Sequence, residues 1–147
     1  MKMRSRLIVP LLITLAFISC TSKKGGPAAL EADASARIQA IPAADPQKYH
    51  DVRESKAWRN PYLIVKPDGV ALLDVANHEE RYINPNELTQ VLAQLPQSAW
   101  PYGRVVAVAE SGIASSDEDK ARIRKNRAIV AGTLESVHVV INWIPSA

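Results

Sequence analysis

The spacing of apolar and polar positions divides this chain into an apolar opening, a sparse middle and a patterned remainder. In the remainder, Tyr62-Leu63-Ile64-Val65-Lys66 has the β-branched and aromatic content of a strand. Lys66-Pro67-Asp68-Gly69 is a turn, because Pro67 pre-sets its own φ and Gly69 supplies a positive one. Val70 to Val75 returns as the second strand of a hairpin, and Asn77-His78-Glu79-Glu80 reads as a polar connection. A helix starts where Asn84 can cap, Pro85 suits the first position and Glu87 sits three beyond the cap. Leu88, Val91, Leu92 and Leu95 continue it at i, i+3, i+4, i+7, and Pro96 ends it. Arg104 to Glu110 is apolar on both faces, as in a strand covered by helices. Ser116 with Asp119 opens a second helix, whose first turn is acidic and which runs to about Leu134 past Gly132. In the last segment Val137, Val139, Ile141 and Trp143 share one strand face, opposite His138, Val140 and Asn142.

These elements predict an α/β (α+β) unit over residues 58–147: a mixed four-stranded sheet, in the order β-β-α-β-α-β, with two helices packed on it. No internal repeat is visible. The apolar opening, Leu7 to Ile18, is about 12 residues, short of the about 20 that a spanning helix needs. Pro10 interrupts it and Lys2, Arg4 and Arg6 precede it, which is the outline of a secretory signal over residues 1–19. In the middle, residues 20–57, Leu30, Ala34, Ile38 and Ile41 fall near helical spacing between Pro27 and Pro42, compatible with a short, weak helix. The favoured reading is a flexible tether, whose ~30 residues would reach on the order of 30 Å as a coil.

Phe17-Ile18-Ser19-Cys20 resembles the lipobox of bacterial lipoproteins, with Phe17 standing where leucine is usual. The resemblance implies that the Cys20 thiol carries diacylglycerol and that cleavage makes Cys20 the first residue. The product would be exported and membrane-anchored, in the outer membrane facing the periplasm in a Gram-negative cell. Ordinary secretion, with a cut before Lys23, is the competing reading of the same residues.

Composition narrows this further. With 147 residues, one domain is expected. Removing Lys2, Arg4 and Arg6 with the signal brings the 18 Lys plus Arg down to 15, matching the 15 Asp plus Glu. The basic balance therefore belongs to the leader and gives no reason to expect nucleic-acid binding. Cys20 is the only cysteine, so neither a disulfide framework nor a cysteine metal site is expected.

Catalytic spacing is missing from the rest. His50, His78 and His138 are scattered, without the i, i+4 pairing of a helical zinc site, so no metal or cofactor is expected. Ser111, Ser115 and Ser116 follow the strand at 104–110, a common place for active sites in α/β proteins. Glu110-Ser111-Gly112 nevertheless lacks a nucleophile elbow, and Ser116 serves better as a cap. Arg122, Arg124, Lys125 and Arg127 form a basic cluster, partly answered by Glu118 and Asp119 at helical spacing. Trp100-Pro101-Tyr102-Gly103-Arg104 could grip a partner or a saccharide, or Trp100 could plug the core while Pro101 and Gly103 shape the turn.

The order of elements from Tyr62 to Trp143 is similar to that of the periplasmic domain of the ExbD/TolR family, without that family's acid-bearing transmembrane helix. Asn126-Arg127-Ala128 resembles the helix of OmpA-like peptidoglycan-binding domains, with Gly112 roughly where their acid stands. Ala99 to Val108 also looks like a run found in small uncharacterised bacterial proteins. The resulting expectation is an envelope lipoprotein acting as a binding or scaffolding module, its partner an envelope protein or peptidoglycan. Trp100, Tyr102, Arg104, Glu110 and Arg127 are the candidate interaction surface, and the alternative is an enzyme with its cleft around residues 100–116.

Overall fold

The computed structural model describes residues 26–52, 55–75, 77–112 and 116–145. The apolar run at 7–18, Cys20 and Ser115 lie outside the described residues. Three helices and five strands follow one another: α1 (Pro27–Gln39), β1 (Tyr62–Lys66), β2 (Gly69–Asp74), β3 (Glu79–Ile83), α2 (Leu88–Ala93), β4 (Val105–Glu110), α3 (Asp117–Ser136) and β5 (Val140–Ile144). The sheet order is β3-β2-β1-β4-β5. β1 pairs antiparallel with β2, and β2 with β3; β1, β4 and β5 run parallel.

The mixed α+β architecture is as expected, and the four-stranded order is corrected to five strands. Glu79 and Glu80, expected in a polar connection, and Arg81-Tyr82-Ile83, expected in no element, are exposed at the first four positions. They form β3 by pairing Asp74↔Glu79 through Val70↔Ile83 with β2, with only Ile83 turned into the core. Cross-strand pairing overrides local propensity here.

The second correction concerns the expected leash. Pro27 opens α1 after Gly26, and the alanine-rich sequence favours helix. Ala34 and Ile38, one turn apart, are buried, and α1 packs on α2. Ile38 belongs to the same cluster as Leu63, Val65, Val106 and Val108 of the sheet and Leu92, Ile123, Val130 and Leu134 of the helices. Ala44, Tyr49, Val52 and Trp58, in a strap that follows α1, then cover the opposite sheet face. There Tyr62, Val105 and Ala107 lie under Trp58 and Tyr102, with Tyr49 packed against them. Tyr49, Trp58 and Tyr102 have ring centroids 5.3–6.0 Å apart, the separation of edge-on and tilted aromatic pairs.

Backbone bonds tie this strap to the entry of β4. Asp45 N–H donates to the Tyr102 carbonyl (2.9 Å) and Arg104 N–H to that of Pro42 (2.9 Å). Gly103 has φ +79°, and a Cβ there would stand 2.2 Å from the Ala43 carbonyl oxygen, so only glycine fits. Buried Asn60 completes the junction. Its Nδ2 donates to the carbonyls of Gly103 (2.7 Å) and Val105 (2.8 Å), and its Oδ1 accepts from Tyr102 N–H (2.9 Å).

Element ends follow local chemistry. Ser116 Oγ accepts from Asp119 N–H (3.0 Å), the expected cap. α3 passes Gly132 and ends at Ser136. Asn84 caps Asn86 N–H (3.1 Å), but the first turn, Pro85–Glu87, is 3₁₀ before α2 proper. His138 adopts φ +58° in the turn that closes α3, so β5 starts at Val140 and not at Val137.

Two substitutions test the strap as part of the fold. Ile38→Ala should lower the urea unfolding free energy by about 2–4 kcal/mol, the cost of a buried large-to-small change. A leash would leave the midpoint unchanged. Asn60→Asp replaces a donor with an acceptor against two buried carbonyls and should cost at least about 2 kcal/mol in the same assay.

Candidate functional site

β4 separates the residues expected to share an interaction surface. Trp100, Tyr102 and Arg104 precede its first residue, whereas Glu110 is its last, about 17–20 Å further along the strand. Trp100 is 4% exposed and joins the main core, and Tyr102 at 8% fills the aromatic cluster on the opposite face. Tyr102 also donates its hydroxyl to the Ala57 carbonyl (3.3 Å). The plug reading of this run therefore describes it, and neither ring presents a gripping face. Trp100 Nε1 and Arg104 Nε are buried without hydrogen-bond partners among the described residues.

At the carboxyl end of β4, Glu110 and Arg127 do come together. Arg127 Nη1 lies 2.7 Å from Glu110 Oε1, and its guanidinium carbon sits 4.3 Å from the ring centroid of Trp143 on β5. Neighbouring Asn126 donates to the carbonyls of Lys66 (2.8 Å) and Pro67 (3.3 Å), holding the β1–β2 turn against α3. The Asn126-Arg127 pair thus serves contacts within the domain. The basic cluster on α3 is partly neutralised as well, by the Glu118–Arg122 pair one turn apart.

A concavity lies elsewhere, at the amino end of β1. It is an open cleft of about 1060 Å³ between the far ends of β2 and β3 and the loop from Leu95 to Pro101. Leu72, Leu73, Leu95 and Pro101 provide apolar wall, while Lys56, Arg59 and Arg81 bring positive charge and Asp74, Glu79 and Glu80 negative. Lys56, Arg59 and Arg81 are exposed and have no ion-pair partner among the described residues. The cleft's residues come from positions 56–101, scattered across strands, turns and loops, so no local motif announces it.

Beside the cleft, on the sheet face away from the helices, Lys66 Nζ bonds Glu80 and the Tyr82 hydroxyl (3.3 Å) and lies 5.1 Å from the Tyr82 ring centroid. The hydrogen bond to Glu80 raises the lysine pKa above its ordinary 10.5, with Tyr82 adding to the rise and desolvation opposing it. Burial likewise raises the Tyr62 phenol above 10.0. His50 pairs with the adjacent Asp51 (3.0 Å) and His78 sits in a turn at φ +56°. Among the described residues no group of three or more His, Cys, Asp or Glu side chains could hold a metal ion. No helix among them is long and apolar enough to cross a membrane. The chain matches no protein-family model, no curated protein and no solved structure.

Lys66→Met should reduce stability by under about 1 kcal/mol at neutral pH, as befits a partly exposed pair. A raised folded-state pKa means the contribution is complete below 10.5 and disappears as pH rises through the higher folded value. Urea midpoints of both proteins should therefore converge in strong alkali; divergence would contradict the linkage.

Proposed function

We propose that this chain is a lipid-anchored lipoprotein of the bacterial cell envelope whose domain is a binding or scaffolding module, holding a partner protein against the bilayer. Support for the anchor comes from the apolar run ending in Ser19-Cys20. Several acyl chains on Cys20, at about 0.8 kcal/mol per buried methylene, would hold the protein firmly. The position of α1 changes what that anchor does. Only residues 21–26 separate Cys20 from Pro27, a reach of at most about 25 Å even fully extended. The domain would then sit on the membrane, within reach of membrane-proximal partners only.

The observation that carries the binding reading is the cleft with three unanswered cations beside apolar wall. A polypeptide segment bearing charges of both signs and a few apolar side chains complements it, because its carboxylates meet Lys56, Arg59 and Arg81, its cations meet Asp74 and Glu79, and its apolar groups cover Leu72, Leu73 and Leu95. Trp58, which is buried, lines the cleft from the core side.

Intact mass of the membrane-fraction protein tests the anchor: a form beginning at Cys20 with diacylglycerol and acyl mass is expected, and an unacylated form beginning at Lys23 would overturn it. A photoreactive residue at Ser98, in the cleft, should give a discrete adduct in intact cells, and one at Gln39 should not. Arg59→Glu with Arg81→Glu should cut the Ser98 adduct at least about tenfold, equivalent to about 1.4 kcal/mol, without moving the unfolding midpoint. Adducts indifferent to position or charge would contradict the cleft as the binding site.

A further inference from the structure

The two edges of the sheet are built differently. β3 carries Glu79, Glu80 and Arg81, the charged edge that discourages pairing with another strand. β5 reads Val140-Ile141-Asn142-Trp143-Ile144, without a charge, a proline or a glycine. Val140 is 45% exposed and Trp143 39%, which makes them two of the four exposed large hydrophobic residues described. An uncharged edge with high β-propensity is a template for a further strand unless something covers it.

The backbone shows where that strand would bond. Val140 N–H donates to the Arg104 carbonyl (2.9 Å), and the register with β4 runs Val105↔Val140, Ala107↔Asn142, Ala109↔Ile144. Val140, Asn142 and Ile144 therefore turn their amide groups inward to β4. Ile141 and Trp143, the alternate residues, turn theirs outward at the open edge.

We infer that β5 pairs antiparallel with β5 of a second copy of this chain, about a two-fold axis through Asn142. In that register Val140 meets the partner's Ile144, Ile141 meets the partner's Trp143, and Asn142 meets itself. The outward amides of Ile141 and Trp143 then exchange hydrogen bonds with their opposite numbers, and no charge faces another charge. Ile141–Trp143 is an aromatic–β-branched cross-strand pair, among the favourable ones. Arg127 already covers one face of Trp143 by its cation–π contact, so the ring is held in place for its partner. A second copy fits better than a foreign strand because the strand is self-complementary in this register. The antiparallel mode is also closed: it consumes both neutral edges and leaves the charged β3 edges outermost, where growth stops.

Cysteine crosslinking in the full chain, in the membranes of expressing cells under a mild oxidant, tests this. Residues opposite each other at Asn142 form a non-hydrogen-bonded pair with Cα atoms about 4.5 Å apart. That separation is within the about 4.4–6.8 Å range of disulfides. Asn142→Cys should yield a reducible band of twice the mass that the unsubstituted chain, with Cys20 alone, does not give. Val140→Cys should give none, since its two copies would lie about 14 Å apart along the strands. Val140→Cys combined with Ile144→Cys should restore it. Monomeric Asn142→Cys together with a monomeric double variant, crosslinks to a different protein, or equal yields from Val140→Cys alone would overturn the inference.

Discussion

One buried amide governs how the whole domain closes. Asn60 stands immediately before β1 and binds three backbone groups of the segment that enters β4, a chain distance of more than forty residues. Without it, the buried Val105 carbonyl and Tyr102 N–H would lose their partner, each at a cost of about 1–3 kcal/mol, and the Gly103 carbonyl would keep only the Val105 N–H (2.8 Å). The same junction receives the strap through Asp45 and Arg104, and closes tightly enough that Gly103 admits no side chain. β1, β4 and the strap thus meet at one point, and both core clusters hang from it. A parallel pair such as β1–β4 needs both faces covered, and the helices cover only one. The strap with its aromatic residues covers the other.

Much of the sheet was legible because its strands announce themselves. Tyr62 to Lys66 and Val105 to Glu110 are buried on both faces and read as near-continuous apolar runs. The Ser116 cap and the Pro67–Gly69 turn carry their own chemistry, and both stand where local rules put them. β3 was illegible for the opposite reason: it is an edge whose residues mostly face solvent, and only pairing with β2 makes it a strand. α1 was legible only as a short, weak helix set behind the tether reading, because two buried anchors, Ala34 and Ile38, are too few to outweigh flanking prolines and glycine. Its stability comes from α2, which the sequence pattern does not place beside it. The expected interaction surface failed on geometry. Sequence neighbours on a strand entry and residues at its far end cannot share a patch, and large aromatic residues in a small domain go first to the core.

These features assign different work to different sides of one small body. The helix face stabilises, the strap fastens the amino-terminal segment to the sheet, the β2–β3 end opens a charged cleft, and β5 offers a neutral edge. If Cys20 carries the proposed lipid, α1 begins so soon after it that the strap also sets how near the cleft stands to the membrane. A domain on a long leash could sample partners far from the bilayer, whereas one whose amino-terminal segment is folded into the core could not.

That integration is measured most directly by hydrogen exchange on the full chain. The amides of Asp45 and Arg104, which donate to Tyr102 and Pro42, should exchange as slowly as those of β1 and β4 and be released only in the same global unfolding. Exchange of residues 27–52 at the rate of an unstructured chain, while the sheet stays protected, would contradict the account.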